Sequence, residues 1–120
     1  MATILVIDDE EAIRTLLRTA LEEAGYEVME ASNGRIGLEL YRQRSTDLVI
    51  TDILMPELNG LDMMLELTRG FLNVKVIAIS GIHGQEHVLD VAKLLGARQT
   101  FHKPLNLQQL LSAVRYELAH

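Results

Sequence analysis

The sequence predicts an α/β domain in which five parallel strands form an open, doubly wound sheet with five helices. Short runs of strand length alternate with longer segments whose apolar residues recur at three- and four-residue spacing. Most strand runs are apolar at every position, as is typical of strands buried on both faces. Parallel neighbours need crossover connections, which the intervening helices supply. No linker, repeat or low-complexity tract interrupts the 120 residues, so we expect one domain over residues 1–120.

The predicted strands and helices follow one another in strict alternation. The first helical pattern stops at Gly25 and the fourth at Gly96, because glycine is favoured just after a helix. Residues 32–34 predict a turn before the second helix. Asn106 is well placed to cap the last helix, with Gln109 as its partner in a capping box. The predicted strands cover residues 4–7, 26–31, 48–50, 74–79 and 98–102.

Composition and charge exclude several kinds of protein. A hydrophobic content of 48% with 23% charged residues is typical of a folded domain and not of a disordered chain. The chain has no Cys, which excludes disulfides, thiolate catalysis and cysteine-ligated zinc. A net charge of −6 argues against direct nucleic-acid binding by this domain. The apolar runs are far shorter than the ~20 residues that span a bilayer, and no secretory signal is visible, so we expect a cytoplasmic protein without membrane contact.

Side chains capable of chemistry follow the predicted strands at the point where each one ends. These residues are Asp8 and Asp9 after the first strand, Asp52 after the third, Ser80 after the fourth and Lys103 after the fifth. In open α/β sheets, ligands bind beyond the carboxyl ends of the strands. We therefore expect three acids, one hydroxyl and one amine to lie together in a single site.

The chemistry of this site follows from its charges. Three carboxylates in one place repel one another, and their pKa values rise unless a cation neutralises them. Oxygen ligands without Cys or clustered His favour a hard divalent ion, Mg²⁺ or Mn²⁺. Lys103 supplies a positive charge and Ser80 a hydroxyl donor for phosphate oxygens. Asp52 is the candidate nucleophile, because it lies on the central strand and a carboxylate can form an aspartyl phosphate.

The whole chain resembles the receiver domain of two-component response regulators in its length, its five strand–helix units and its motifs. Each motif residue is weak alone, but together they are specific in this order and spacing: Asp8-Asp9, Asp52, Met55-Pro56, Gly60, Ser80 and Lys103-Pro104. The resemblance implies a flavodoxin-like sheet with strand order 2-1-3-4-5. It also implies a signalling switch that catalyses only its own phosphorylation and dephosphorylation.

Carried over to this sequence, the resemblance implies a role for each site residue. Asp52 would accept a phosphoryl group from a sensor histidine kinase or a phosphotransfer protein, and Lys103 would contact that group. Mg²⁺ would be bound directly by Asp9, Asp52 and the backbone carbonyl of Leu54. Asp8 would bind the ion through water.

The resemblance also implies how phosphorylation would reach a partner. Ser80 would follow the phosphoryl group inward and Phe101 would rotate with it, although a lone strand aromatic is more often part of the core. The face formed by the fourth helix, fifth strand and fifth helix would then control a downstream output domain or protein. A phosphorylation-dependent homodimer through this face is a further expectation. Arg14 and Arg18, on the first helix, could contribute to docking of the kinase.

Two positions that vary within the family, Leu54 and Ile82, are apolar in this chain. Neither side chain can orient an attacking water by hydrogen bonding. We therefore expect slower self-dephosphorylation than in relatives with polar groups at these places. An unchanged hydrolysis rate after polar replacement of both residues would contradict this expectation.

Several alternatives remain open from the sequence alone. Asp8 and Asp9 could cap the first helix, a role compatible with metal binding. A haloacid-dehalogenase-like phosphohydrolase also forms an aspartyl phosphate, but it needs a second acid two residues after the nucleophile, where this chain has Leu54. A degenerate receiver would take no phosphate, and the intact set of acids, hydroxyl and lysine argues against it. The chain could be a stand-alone regulator or part of a longer one.

Overall fold

The sheet has the predicted topology. The computed structural model describes residues 1–53, 60–81 and 86–120. Within these residues, five parallel strands form one sheet in the order β2-β1-β3-β4-β5. The strands are β1 (Thr3–Ile7), β2 (Glu27–Ala31), β3 (Leu48–Asp52), β4 (Val76–Ser80) and β5 (Gln99–His102). The predicted fold class and strand order are confirmed.

Helices cover both faces of this sheet, as a doubly wound fold requires. The helices of the described residues are α1 (Glu11–Glu23), α2 (Gly34–Gln43), α3 (Gly60–Gly70), α4 (Glu86–Leu94) and α5 (Leu107–Ala119). Apolar side chains of α1 and α5 pack on one face, and those of α2, α3 and α4 pack on the other. Among the described residues, no helix combines the length and the apolar composition needed to cross a bilayer.

The central strands explain the continuous apolar runs in the sequence. All residues of β1, β3 and β4 are buried. Successive side chains of a strand point to opposite faces. Accordingly, Leu5 and Ile7 join the core cluster beneath α2–α4, whereas Ile4 and Val6 join the cluster beneath α1 and α5. Burying each of these side chains contributes about 1.5–3 kcal/mol, so two helical layers hold the sheet in place.

The predicted helix ends at Gly25, Gly96 and Asn106 are confirmed. Gly25 and Gly96 have φ angles of 96° and 119°, in the left-handed region that favours glycine. The Asn106 side chain accepts a hydrogen bond from the Gln109 backbone N–H at 3.1 Å, and α5 begins at the next residue.

Two local predictions differ from the structure. The segment predicted as a turn before α2 is a helix N-terminus, because Asn33 occupies the N-cap position and accepts a hydrogen bond from Ile36 N at 2.9 Å. Strand β4 begins at Val76, two residues later than predicted. The reason is that the Val74 N–H donates to the Phe71 carbonyl in the turn after α3 and does not pair with a strand.

Candidate functional site at the carboxyl edge of the sheet

The site residues lie where four of the five strands end. Asp52 is the last residue of β3 and Ser80 is the last of β4, while Asp8 follows β1 and Lys103 follows β5. Since parallel strands present their carboxyl ends at one edge, the topology brings these side chains together. Asp9 lies beside Asp8 on the loop into α1 and is exposed.

Lys103 connects the ends of three strands through its ammonium group. Its Nζ lies 2.9 Å from Asp52 Oδ2, 3.1 Å from Asp8 Oδ2 and 2.9 Å from Glu10 Oε1. Its side chain is 13% exposed. Burial would lower the pKa of Lys103, but hydrogen bonds to Glu10 and Asp52 and the surrounding negative charges raise that pKa above its ordinary value. Lys103 is therefore positively charged at any physiological pH.

The Asp8 carboxylate is buried close to a second negative charge, that of Asp52, and to the positive charge of Lys103. Its Oδ1 accepts the Glu10 backbone N–H at 2.8 Å. Its Oδ2 accepts no hydrogen bond within the described part of the chain, although the Lys103 ammonium is 3.1 Å away. Burial, and to a lesser extent the charge of Asp52, raises the pKa of Asp8 to about 6, against the lowering effect of the Glu10 N–H and of Lys103. A bound cation would remove this conflict.

The acid pair does not cap α1. Glu10 occupies the N-cap position of α1, and no side-chain hydrogen bond caps that helix. Asp8 instead binds the N–H of Glu10 itself. The acid pair is therefore not the cap of α1, and its side chains are available to the site.

Four carboxylates could hold a metal ion. Asp8, Asp9, Glu10 and Asp52 each place one carboxylate oxygen within 4.8 Å of the others. Two of the four side chains are buried and two are exposed, so the cluster opens to solvent on one side. These hard oxygen donors fit Mg²⁺, and so does Asp8 Oδ2, which accepts no hydrogen bond from the residues that the structure describes. The expected carbonyl ligand Leu54 lies outside the described residues.

Ser80 brings a second unsatisfied polar atom to the same edge. Its side chain is 1% exposed, and its Oγ has no hydrogen-bond partner among the described residues. Leaving a buried hydroxyl unpaired costs about 1–3 kcal/mol. The Ser80 carbonyl accepts the Lys103 backbone N–H at 2.8 Å, which positions the backbone from which the lysine side chain extends. The carboxyl edge therefore holds a buried hydroxyl that has no partner among residues 1–53, 60–81 and 86–120, on the strand next to β5, which Lys103 follows.

Phe101 lies on β5, two residues before Lys103. It is half-buried and packs against the core cluster beneath α1 and α5. It also lines a groove of about 600 Å³ between β5 and α5, together with Gln108, Ser112 and Tyr116. Its side chain thus contacts the core on one side and lines a surface groove on the other.

Comparison with known proteins identifies the family. The family model described as "Response regulator receiver domain" matches residues 4–115. The chain is 36% identical over 112 residues to the chemotaxis protein CheY of Thermotoga maritima, covering 92% of each chain. A receiver domain structure from Clostridium thermocellum superposes with a TM-score of 0.92 at 36% identity, covering 99% of this chain and 95% of that one. The chain belongs to the response regulator receiver domain family.

A further receiver structure concerns the metal. The response regulator TrrA of Thermotoga maritima, solved in complex with Mg²⁺–BeF, superposes with a TM-score of 0.88 at 33% identity, covering 98% of this chain and 99% of that one. Receiver domains are phosphorylation-activated switches of two-component systems that bind Mg²⁺ and work with histidine kinases and output domains. This receiver domain is therefore a signalling switch of that kind.

Two side chains of this receiver domain were not assigned to the site from its sequence. Glu10 contacts Lys103, and Arg14 donates a hydrogen bond from Nη1 to the Asp8 carbonyl oxygen at 2.6 Å. The run of four acids at residues 8–11 is a signal that could have included Glu10. The Arg14 contact has no comparable signal, because it depends on the path of the loop between β1 and α1.

Proposed function

We propose that Asp52 is the residue that accepts the phosphoryl group, with Lys103 and Ser80 stabilising it. The observation that carries this proposal is the contact of one buried ammonium with Asp52 and Asp8, which joins the ends of β1, β3 and β5. A positive charge among acids is suited to a group that brings three negatively polarised oxygens.

The transfer would proceed by nucleophilic attack. One carboxylate oxygen of Asp52 attacks the phosphorus of a phosphohistidine on a sensor kinase or phosphotransfer protein in the cytoplasm. A P–O bond forms as the P–N bond breaks, and the leaving imidazole takes up a proton from solvent. Lys103 donates to a phosphoryl oxygen, and Ser80 Oγ, which has no partner within the described part of the chain, donates to another. The chemistry is confined to the domain's own acyl phosphate, so the protein acts as a switch and not as an enzyme with a separate substrate.

Asp8, Asp9 and Asp52 are the residues that would hold Mg²⁺, with Mn²⁺ as a substitute. When bound, the ion supplies positive charge that neutralises the carboxylates and the incoming phosphoryl oxygens. Asp8 contributes Oδ2, which accepts no hydrogen bond from the described residues and shares the Lys103 ammonium with Asp52. Asp9 contributes from the exposed side of the cluster, where a donor protein must approach.

Ser80 and Phe101 would carry the signal from the site to the surface. Ser80 ends β4, and in the register of the sheet its neighbour Ile79 pairs with Phe101. Movement of Ser80 toward a phosphoryl group would therefore act on the strand beside Phe101. We propose the face of α4, β5 and α5 as the output surface, for a downstream domain, protein or second copy of this chain.

The test is the intact mass after incubation with acetyl phosphate and Mg²⁺. The wild type should gain one phosphate-sized adduct, and none should form when a chelator is present from the start. Asp52→Asn should gain none, whereas Asp90→Asn, a matched change of an exposed acid on α4, should behave as the wild type. An adduct on Asp52→Asn would reject Asp52 as the acceptor. The absence of an adduct on a folded, Mg²⁺-bound wild type would favour a degenerate receiver.

A further inference from the structure

Arg14 lies beneath the acid pair rather than on the outer surface of α1. Its Nη1 donates to the Asp8 carbonyl oxygen at 2.6 Å, and its Nε is 3.4 Å from Glu30 Oε1 on β2. Only 16% of its side chain is exposed, compared with 45% for Arg18 one turn later. An arginine held between a loop carbonyl and a strand carboxylate is poorly placed to meet a docking partner.

The orientation of the Asp8 carbonyl determines where the chain places Asp9. It belongs to the planar peptide that joins Asp8 to Asp9, so its direction sets the direction in which the next residue leaves. The Asp8 N–H is bound to the Ala31 carbonyl at 3.1 Å, which fixes the preceding peptide on β2. Arg14 fixes the following peptide. The peptide groups before and after Asp8 are therefore both connected to β2, the second one through Arg14, whose guanidinium pairs with Glu30.

We propose that Arg14 is a positioning residue that holds the Asp8–Asp9 segment in the geometry needed to bind a divalent cation. This inference rests on the proposed function, since it takes these acids as the metal ligands. Arg14 would act through the backbone and would contact neither the ion nor the phosphoryl group.

Positioning by Arg14 and a general electrostatic effect of its charge predict opposite changes in Mg²⁺ affinity. A positive charge near the acid pair repels a divalent cation, so its removal should tighten Mg²⁺ binding if charge alone mattered. If Arg14 positions the ligands, its removal should weaken Mg²⁺ binding in spite of the lost repulsion. Loss of a partner that orients a metal ligand weakens metal affinity by about 10–100-fold.

Arg18 offers a matched control in the same helix. Its Nη1 is 2.6 Å from Glu30 Oε2 and its Nε is 3.3 Å from Glu22 Oε2, so it shares the strand carboxylate with Arg14. Arg18→Met removes the same charge and a contact to Glu30 while the bond from Arg14 to the Asp8 carbonyl is retained. Arg14→Lys keeps the charge and one donor, and it reports whether a cation at this place is sufficient.

The experiment is a calorimetric Mg²⁺ titration of the wild type, Arg14→Met, Arg14→Lys and Arg18→Met, each first shown to be folded by far-UV circular dichroism. We expect Arg14→Met to bind Mg²⁺ about tenfold more weakly than the wild type, Arg14→Lys to lie between them, and Arg18→Met to stay within about twofold. Binding by Arg14→Met that equals or exceeds that of Arg18→Met would overturn the inference and leave the metal site intact. No binding by the wild type would overturn the proposed metal site itself.

Discussion

Buried carboxylates occur at both edges of the sheet, and their surroundings differ. Glu117 of α5 lies at the amino edge, 4% exposed, with Gln99 Nε2 donating to Oε2 at 2.9 Å and Arg98 Nη1 3.6 Å from Oε1. Each of its oxygens has a partner. At the carboxyl edge, three carboxylates share one ammonium, because Lys103 Nζ lies 3.1 Å from Asp8 Oδ2 and 2.9 Å from an oxygen of both Asp52 and Glu10.

The difference distinguishes Glu117, an acid with its own partners, from the acids that we propose as functional. Removing one partner of a satisfied buried charge costs stability, because the remaining group is left unpaired. An excess of negative charge costs stability while it is present and becomes favourable only when a cation arrives. The amino edge is complete within the protein, whereas the carboxyl edge is complete only with a ligand. Four predictions test this contrast, from the largest expected effect to the smallest.

Lys103 should matter far more to phosphorylation than the cation at the opposite edge. Lys103→Met removes the ammonium that faces Asp52, and we expect the rate of phosphorylation by acetyl phosphate to fall about 100-fold, as for loss of one charge-stabilising donor. Arg98→Met removes the cation beside Glu117 and should leave this rate unchanged. Intact mass against time measures both. Similar rates for the two variants would show that the two edges do not differ in this respect.

Glu117 should show the opposite behaviour. Glu117→Ala leaves Gln99 without its acceptor and Arg98 without its counterion, and we expect the free energy of unfolding to fall by about 2 kcal/mol. The rate of phosphorylation should stay within about twofold of the wild type, because the contacts of Glu117 lie at the far edge. Urea unfolding and the mass assay give the two values. A large loss of phosphorylation in a folded variant would contradict the assignment of Glu117 as structural.

The sequence predicted this fold well because the decisive signals were local. Continuous apolar runs predicted β1, β3 and β4, and Gly25 and Gly96 predicted the ends of two helices. The topology then placed Asp52 and Lys103 at one edge, although they are 51 residues apart in the chain. Predictions were wrong where one residue suits two structures, as with Asn33, which favours turns and helix caps alike.

The partners within the site could not be predicted in the same way. The contact of Lys103 with Glu10 joins residues 93 apart, and it depends on side-chain conformations that no spacing rule specifies. The buried Glu117 left a weak signal, since it lies seven residues after Leu110 on the buried face of α5. A charged residue on that face indicates a buried polar contact, but its partners are Arg98, just before β5, and Gln99, the first residue of β5.

Asp8 should destabilise the domain in the absence of metal, and the effect should depend on pH. Its pKa is raised to about 6 in the folded chain from an ordinary value of 3.8. The folded state therefore binds more protons than the unfolded state between these two values, and stability falls as pH rises through this window. Above pH 6 the stabilisation by protonated Asp8 is lost.

Asp8→Asn removes this titration. In buffer without divalent ions at pH 8, we expect Asp8→Asn to be more stable than the wild type by about 1–3 kcal/mol, and the difference to shrink toward pH 4. Urea unfolding at several pH values measures it. Asp90→Asn, which changes an exposed acid, should differ from the wild type by less than about 0.5 kcal/mol. A pH-independent difference for Asp8→Asn would contradict the charge conflict at this edge.

Gly81 should control the path of the lysine, with the smallest effect of the four. A Cβ at Gly81 would lie 2.7 Å from Lys103 Cδ and 3.3 Å from its Cβ, so Gly81→Ala must displace the aliphatic stem. We expect phosphorylation to slow by about threefold, because the ammonium shifts from Asp52 but keeps its charge. At Gly70 an added Cβ would meet nothing within 4 Å, so Gly70→Ala is the matched control and should keep the wild-type rate. An unchanged rate for Gly81→Ala would mean that the lysine reaches Asp52 by more than one path, so that the carboxyl edge depends on its charge and not on its exact placement.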